Sequence, residues 1–562
     1  LDVDAFYATH TDGDGVAYGP RFRGLRGAWS AGAELYAEVA LPDDGRTDPE
    51  PYGLHPALFD ACLHVLGLGD ATHTDGTDDP DEVTLPFSWS GVRVVRGGCR
   101  VVRVRVVPVG EGAVSLTVTD EAGVLVASVG SLVLRAVSVG LLAGVGGVHE
   151  SLFRVEWERR PGAVPAAGSA GAWSGVPGGV RVVRVGAGGE VSAVGVRAVL
   201  ADVLGRVQEW LGEGSAAGSR LLVVTEGAVA LPGEGVGDLA QAAVWGLVRS
   251  AQSENPGRVV LADVVGEVDA AALMRLGLPQ VAVREGEVFE PRLVRVPVGE
   301  GQGREVSFGT GTVLLTGAGG TLGRLVARRL VTDHGVQRLA LVSRRGGAVP
   351  GMDAVVAGLK EAGAQKVRVD ACDVADRTAL AELLERLAQD GENITGVVHA
   401  AGVLDDGVIS SLTPARLDAV LRPKVDAALN LHELTLGLGL DAFVLFSSGA
   451  GVLGSPGQGS YAAANTFLDA LAEHRRSQRL PAQSLAWGPW ADDAGMASTL
   501  DTTDLRRLER AGVHGLAPGE ALDVLDAALA LDLAAPILVR LDRRAAECGS
   551  PAALFHPGSR PT

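Results

Sequence analysis

The sequence predicts an α/β chain: two successive doubly wound units behind a mainly β first unit. Three observations carry this. Residues 152–305 and 306–545 each alternate short apolar runs with amphipathic stretches, the pattern of parallel strands joined by helices. Residues 1–147 instead alternate apolar and polar positions over longer runs broken by glycine, as antiparallel strands do. The length of 562 residues accommodates three such units at roughly 100–200 residues each, and a hydrophobic content of 47% is ample for their cores.

In chain order, the first unit has strands in CRVVRVRVVPV (99–109) and AVSLTVTDEAGVLVASVGSLVLRAV (113–137), with one helix at HPALFDACLHVLGLG (55–69). LLAGVGGVHE (141–150) reads as a linker, and LFRVEWERR opens a new unit. There VRVVRV (180–185), RLLVVTEG (220–227) and RVVLADV (258–264) are continuous apolar runs, as expected of strands buried on both faces. QAAVWGLVRSAQSE reads as a helix between two of them. The glycines of VGAGGEVSAVG are poorly spaced, and residues 152–305 contain neither lysine nor tyrosine, so this unit reads as structural. The third unit carries seven strand-like runs: TVLLTGA, RLALVSR, KVRVDAC, GVVHAAG, AFVLFSS, QSLAWGP and PILVRLD. Residues 546–562 read as a C-terminal linker.

Composition narrows the function. Aromatics are only 4%, so the cores must be built from Val, Leu and Ala. The formal charge is −19 and no Lys/Arg run forms a basic patch, which argues against nucleic acid as a partner. Cys62, Cys99, Cys372 and Cys548 are far apart, giving no metal site and no disulfide framework, and a reducing cytoplasm is expected. No apolar run reaches membrane-spanning length, and the first residues lack the basic start and apolar core of a signal peptide. The chain reads as beginning inside a domain. Lysine is scarce: Lys360, Lys366 and Lys424 stand among 49 basic residues. A lysine kept where arginine otherwise serves is a candidate for amine chemistry.

GTVLLTGAGGTLGRLVARRLV is a strand, a glycine turn and a helix. Gly317, Gly320 and Gly323 are spaced by three, with Gly319 besides. Such glycines permit a tight turn and close approach to a pyrophosphate, which the free N–H groups of the helix then bind. About twenty residues further on, where an NAD site places an acidic residue on the ribose, stand Ser343, Arg344 and Arg345. Two guanidiniums there favour a 2′-phosphate, hence NADPH. Asp373 and Val374, after the third strand, sit where an adenine edge would be read. Ala400, Ala401 and Gly402, after the fourth, would line the cofactor.

Tyr461 is the only tyrosine after residue 52. It could simply pack. Yet reduction of a ketone needs a proton for the developing alkoxide, and a tyrosine supplies one if a nearby cation lowers its pKa from about 10. Ser448, thirteen residues earlier at a strand end, can hold the carbonyl oxygen.

The set TGAGGTLG, HAAG, SS, YAAAN and AWGPW resembles the short-chain dehydrogenase/reductases and, within them, the ketoreductases of modular polyketide synthases. Most members carry lysine four residues after the tyrosine; here that position is Asn465, and the amine falls to Lys424 in LRPKVDAALNLHEL, as in the polyketide branch. The resemblance covers residues 152–545. It implies Tyr461 as proton donor, Ser448 on the carbonyl oxygen, Lys424 lowering the tyrosine pKa, and Asn465 ordering a proton relay. It also implies a degenerate structural Rossmann-like subdomain (148–305) before the NADPH-binding catalytic one (306–545), and a β-ketoacyl substrate tethered to an acyl carrier protein. Leu404, Asp405 and Asp406 resemble the fingerprint of B-type members, which make 3R alcohols. Leu453 stands where A-type members have tryptophan, and Ala463 where epimerising members have proline. A lid is expected around ADDAGMASTLDTTDL.

YGPRF (18–22), HPALFDACLH and LPFSW (85–89) resemble the second, hot-dog half of a polyketide dehydratase. Asp60 matches its helix aspartate, and His64 lies one turn on along the same face. The HxxxGxxxxP segment of the other half is absent, so Asp60 is half a site. Other synthase domains are the implied partners, with a homodimer in the intact synthase. Two other readings stay open: a reductase of a free small molecule, and a non-catalytic scaffold fragment that need not bind NADPH.

Overall fold

The computed structural model describes residues 1–9, 22–42, 53–68, 82–110, 112–138, 151–164, 179–187, 191–213, 219–296, 306–491 and 512–541, with single residues 189 and 508. They form two compact units, Leu1–Gly146 and Gly147–Thr562. YGPRF up to residue 21, the linker at 141–150, the lid segment from residue 492 and the C-terminal linker lie outside the described residues. Among the described residues, no helix is long and apolar enough to cross a membrane.

The first unit opens with α1 (Val3–Thr9). Its sheet comprises β1 (Leu25–Ala31), β2 (Glu34–Ala40), β3 (Glu82–Ser90), β4 (Arg93–Val94), β5 (Val101–Gly110), β6 (Ala113–Thr119) and β7 (Leu125–Ser138). The main path is β1-β2-β5-β6-β7-β3, antiparallel throughout, with β4 on β7. One sheet face closes over α2 (Pro56–Leu63): Leu58, Ala61 and Cys62 pack against Val39, Val104, Leu116 and Leu132. That is the hot-dog arrangement. Alternation along β5, with Val102, Val104 and Val106 inward and Arg103 and Arg105 outward, is what the run CRVVRVRVVPV encodes.

The second unit is built on one sheet of 13 strands. Its first half contains β8 (Leu152–Ala163), β9 (Val180–Arg184), α3 (Ala193–Gly212), β10 (Arg220–Thr225), α4 (Leu239–Glu254), β11 (Val259–Val265), α5 (Ala270–Arg275), β12 (Gln280–Arg284) and β13 (Glu287–Arg295). Then follow β14 (Thr312–Thr316), α6 (Thr321–Thr332), β15 (Arg338–Ser343), α7 (Met352–Glu361), β16 (Lys366–Ala371), α8 (Arg377–Gln389), β17 (Ile394–His399), α9 (Pro414–Leu421), α10 (Ala427–Thr435), β18 (Ala442–Ser448), α11 (Ala450–Leu453), α12 (Gly459–Ser477) and β19 (Gln483–Trp487). The chain closes with β20 (Val513–His514), α13 (Pro518–Ala530), β21 (Ile537–Leu538) and β22 (Arg540–Leu541).

The sheet order is β16-β15-β14-β17-β18-β19-β21-β8-β13-β12-β11-β10-β9. The first seven are parallel, and their order reverses between β14 and β17, the switch point at which such sheets bind nucleotides. Val313 and Leu315 face one core, with α6, α7 and α13; Leu314 faces the other, with α4, α8, α10 and α12. In the first half, β9 to β12 add one after another without reversal, so no such crevice forms there. Antiparallel β8 pairs with both β13 and β21 and welds the halves into one sheet. The two predicted units therefore share a sheet, a join that local apolar patterning does not register.

Candidate active site

The glycine turn lies at the switch point. Gly317 has φ +76°, and a Cβ on it would fall 2.8 Å from Ala400 and Ala401, so the turn after β14 abuts the segment after β17. A Cβ on Gly323 would fall 2.4 Å from the Gly317 carbonyl oxygen, which fits its role in seating α6 against the strand. Gly319 faces Val349. Gly320 is the N-cap of α6 with no side-chain cap, and a Cβ there would meet only the Gly317 carbonyl, at 3.6 Å. The first N–H groups of the helix are thus left to an outside acceptor.

At the end of β15, Ser343 Oγ is buried with no hydrogen-bond partner, while Arg344 and Arg345 are exposed and their guanidiniums make no hydrogen bond among the described residues. An orphaned hydroxyl beside two exposed guanidiniums suits a phosphate. The carboxylate of Asp373 accepts from Arg422 Nη2 at 2.8 Å. Burial works to raise that carboxyl, but Arg422 and the Ala375 N–H hold it below the ordinary range. Val374 is buried and its carbonyl accepts from Asn430 Nδ2. Ala400 and Ala401 abut Gly317, and with Gly402 they are half-buried. These residues fit a nicotinamide dinucleotide.

The four catalytic candidates converge. Ser448 ends β18, paired in register with Trp487. Tyr461 sits in the first turn of α12, 7% exposed. Asn465 follows one turn later and donates from Nδ2 to the Tyr461 carbonyl at 2.9 Å; its Oδ1 is buried without a partner. Lys424 lies in a π-helical turn, Arg422–Asp426, between α9 and α10. That wider turn, of a kind found at functional sites, directs its buried Nζ to the Phe446 carbonyl at 2.8 Å, 5.5 Å from the centre of the Tyr461 ring.

One expectation needs correction. Lys424 was expected to pull the tyrosine pKa down. Instead burial pushes the Tyr461 hydroxyl up to about 12, with Ser448 and Asn465 working against it. Burial also lowers Lys424 to about 7. Desolvation disfavours both charged forms and is the largest cause of each shift. Asp469, which the sequence reading missed, lies buried two turns beyond Tyr461 and accepts from Ser484 Oγ at 2.6 Å; burial raises it to about 6. Of the other lysines, Lys366 pairs with Glu392 and Lys360 is exposed at the end of α7.

The segment 403–409 borders this cluster. Leu404 packs on the core, and Asp405 Oδ1 accepts from Arg416 Nε at 2.9 Å and Nη2 at 2.6 Å. Asp406 Oδ2 accepts from Gln458 Nε2 at 2.9 Å, and the Gly407 N–H donates to the Gly457 carbonyl at 2.6 Å. Two loops far apart in sequence are so stitched together beside Tyr461.

In the first unit, Asp60 Oδ2 lies 3.2 Å from His64 Nε2, and His64 Nδ1 lies 2.9 Å from the Tyr7 hydroxyl. That hydroxyl accepts from the Leu25 N–H at 3.0 Å. A neutral His64 with its proton on Nε2 satisfies both contacts. His64 is buried, whereas the Asp60 side chain is 45% exposed, so a buried imidazole orients an accessible carboxylate. Tyr7 is a member that spacing alone could not reveal.

A parallel sheet with a glycine turn at its switch point and a Ser–Tyr–Lys–Asn cluster is the arrangement of short-chain dehydrogenase/reductases, a fold that implies a nicotinamide cofactor. Comparison with known proteins narrows this. Residues 311–492 match the KR domain family, residues 145–293 the Rossmann fold domain of polyketide synthase extender module SpnB, and residues 1–143 the polyketide synthase dehydratase N-terminal domain. Polyketide synthase GfsA of Streptomyces halstedii is 48% identical over 96% of this chain, which spans 8% of that protein. Spectinabilin polyketide synthase system protein NorA′ of Streptomyces orinoci is 42% identical over 97% of this chain and 17% of its own. Among solved structures, an A1-type ketoreductase is 33% identical with a TM-score of 0.60, covering 73% of this chain and 97% of that one. A structure of A-type ketoreductases from a modular polyketide synthase is 35% identical, TM-score 0.58, covering 70% and 94%. The chain belongs to the ketoreductases of modular polyketide synthases, here preceded by a dehydratase portion.

Proposed function

We propose that this chain reduces a β-ketoacyl thioester, carried on an acyl carrier protein, to the β-hydroxyacyl thioester with NADPH. The observation that carries it is the convergence of Tyr461, Ser448, Lys424 and Asn465 at the carboxyl edge of the sheet that bears the glycine turn. The ketone oxygen would accept hydrogen bonds from Ser448 Oγ and the Tyr461 hydroxyl. Bound NADPH would supply the hydride. Burial keeps Tyr461 protonated across the physiological range, so its proton is available to the developing alkoxide. As the phenol oxygen gains charge, the amine of Lys424, 5.5 Å from the centre of the ring, would help to compensate it. The open Oδ1 of Asn465 can order a relay water. NADPH rather than NADH is favoured by Ser343, Arg344 and Arg345.

Leu404, Asp405 and Asp406, with Leu453 and Ala463, support a 3R alcohol without epimerisation, the B-type outcome. Residues 1–147 are read as the second dehydratase half, with Asp60 oriented by His64; the matched family is described by the dehydratase's N-terminal domain, so this half-assignment rests on the Asp60 helix. Its partners would be the remaining synthase domains, within a homodimer.

The test is NADPH oxidation with a β-ketoacyl thioester, followed by chiral analysis of the product. Reduction should fall by about 10²–10⁴-fold in Tyr461→Phe, the usual contribution of a positioned proton donor, with Ser448 left to bind the oxygen. A fully active Tyr461→Phe enzyme would overturn the mechanism, and a 3S product the stereochemical reading. A chain that binds no NADPH would be a scaffold instead.

A further inference from the structure

The first half of the 13-stranded sheet has no switch point, yet its side chains reach the substrate-side loops of the second half. α4 does so at three places. At Gly246 it crosses α12 so closely that a Cβ would fall 2.2 Å from the Ala462 carbonyl oxygen. One turn on, buried Arg249 donates from Nη1 to the Gly451 carbonyl at 2.8 Å. At its last residue, Glu254 divides its carboxylate between two loops. Oε2 accepts from the Ile409 N–H and Oε1 from the Gly457 N–H, each at 2.9 Å. From α3, Gln208 Nε2 donates to the Ile409 and Leu412 carbonyls, both at 2.8 Å.

A carboxylate at a helix C-terminus is disfavoured by the helix dipole. A local rule broken in this way marks a residue held for another task. The two N–H groups it receives flank the stitch formed by Gly407 with Gly457 and by Asp406 with Gln458. One of them begins the turn after Leu404–Asp406; the other lies four residues before Tyr461. A single anionic group therefore joins these two loops alongside that stitch.

We propose that Glu254 is a positioning residue for the ketone reduction: its carboxylate fixes the 403–409 and 454–458 loops relative to Tyr461, and so the face on which the ketone is presented. This rests on the reductase reading above.

The test uses the whole chain, wild type and Glu254→Gln, with two readouts. The first is amide hydrogen exchange of peptides covering 403–412 and 454–460. The second is the enantiomer ratio of the alcohol formed from a short β-ketoacyl thioester of N-acetylcysteamine. Gln keeps one acceptor oxygen but presents an amide N–H₂ to the other donor. Exchange in both peptides should rise roughly tenfold, the scale of one lost charge-assisted hydrogen bond. The minor enantiomer should rise several-fold, with KM moving more than kcat. Gln208→Ala, which leaves Glu254 in place, should loosen only 403–412 and erode the ratio less; it carries the test if Glu254→Gln does not fold. Unchanged exchange overturns the proposal. Faster exchange with an unchanged enantiomer ratio and KM overturns it too, reducing Glu254 to a brace. A wild-type chain that reduces nothing would sink the reductase reading, and the exchange data alone would then decide whether Glu254 clamps the loops.

Discussion

Gly246→Ala adds one methyl group at the point where the structural half touches the catalytic helix. The Cβ would fall 2.2 Å from the Ala462 carbonyl oxygen, 2.4 Å from its carbonyl carbon and 2.6 Å from Thr466 Oγ1. The first contact is roughly 1 Å inside ordinary van der Waals distance, and backbone cannot swing aside as a side-chain tip can. α4 and α12 must separate by about that much. Overpacking of this kind costs about 1–3 kcal/mol, while exchanging a mid-helix glycine for alanine returns about 0.5–1 kcal/mol. A net loss of about 1–2 kcal/mol is expected. Because Ala462 adjoins Tyr461, the reaction should suffer more than stability: a 1 Å misplacement can cost about 10²-fold in rate. The assay pairs thermal unfolding with turnover of NADPH and a β-ketoacyl thioester. Gly205→Ala is the control, an exposed position on α3 where a Cβ meets nothing within 4 Å; it should be neutral or stabilising with full turnover. If Gly246→Ala matches Gly205→Ala in both measurements, the close crossing does not position Tyr461.

Two further outcomes follow from the same geometry. Arg344→Ala with Arg345→Ala should raise KM for NADPH by more than tenfold, since each lost charge-assisted contact is worth ~1.5–3 kcal/mol, while KM for NADH changes little; equal losses with both would remove the 2′-phosphate assignment. Glu392 tests acid stability. Its buried carboxylate gathers Thr312, Arg338 and Lys366 at the amino-terminal ends of β14, β15 and β16. Burial alone would raise it, but those hydrogen bonds bring it down to about 2. A depressed carboxyl binds fewer protons folded than unfolded, so its stabilisation is complete above pH 4.5 and lost as pH falls toward 2. Glu392→Gln should lower thermal stability at pH 7 and narrow its gap to wild type between pH 4.5 and 2; a constant gap would show that the charge contributes nothing.

Much of the site was legible because its parts are local. The glycine spacing, Ser343–Arg345 at a strand end and Tyr461 with Asn465 one turn on are each contained in a few residues, and parallel-sheet topology requires such groups to meet at the switch point. Asp60 and His64 were readable for the same reason, being one helical turn apart. Glu254, Gln208, Asp469 and Tyr7 were not. Each acts on residues from 15 to more than 200 positions away. The only local trace was a glycine amid QAAVWGLVRSAQSE, a costly helix residue whose meaning depends on what crosses there.

Sequence alone determined the strand and helix pattern, the glycine turn and which tyrosine is the candidate proton donor, because apolar periodicity and backbone demands are satisfied within a few residues. Tertiary structure decided that both α/β halves share one sheet through β8, that a π-turn brings Lys424 beside the Tyr461 ring, and that α4 bonds to the loops around it. It also decided the direction of the pKa shifts. Desolvation depends on everything packed around a group, so the raised Tyr461 and lowered Lys424 are properties of the assembled core and of no segment within it.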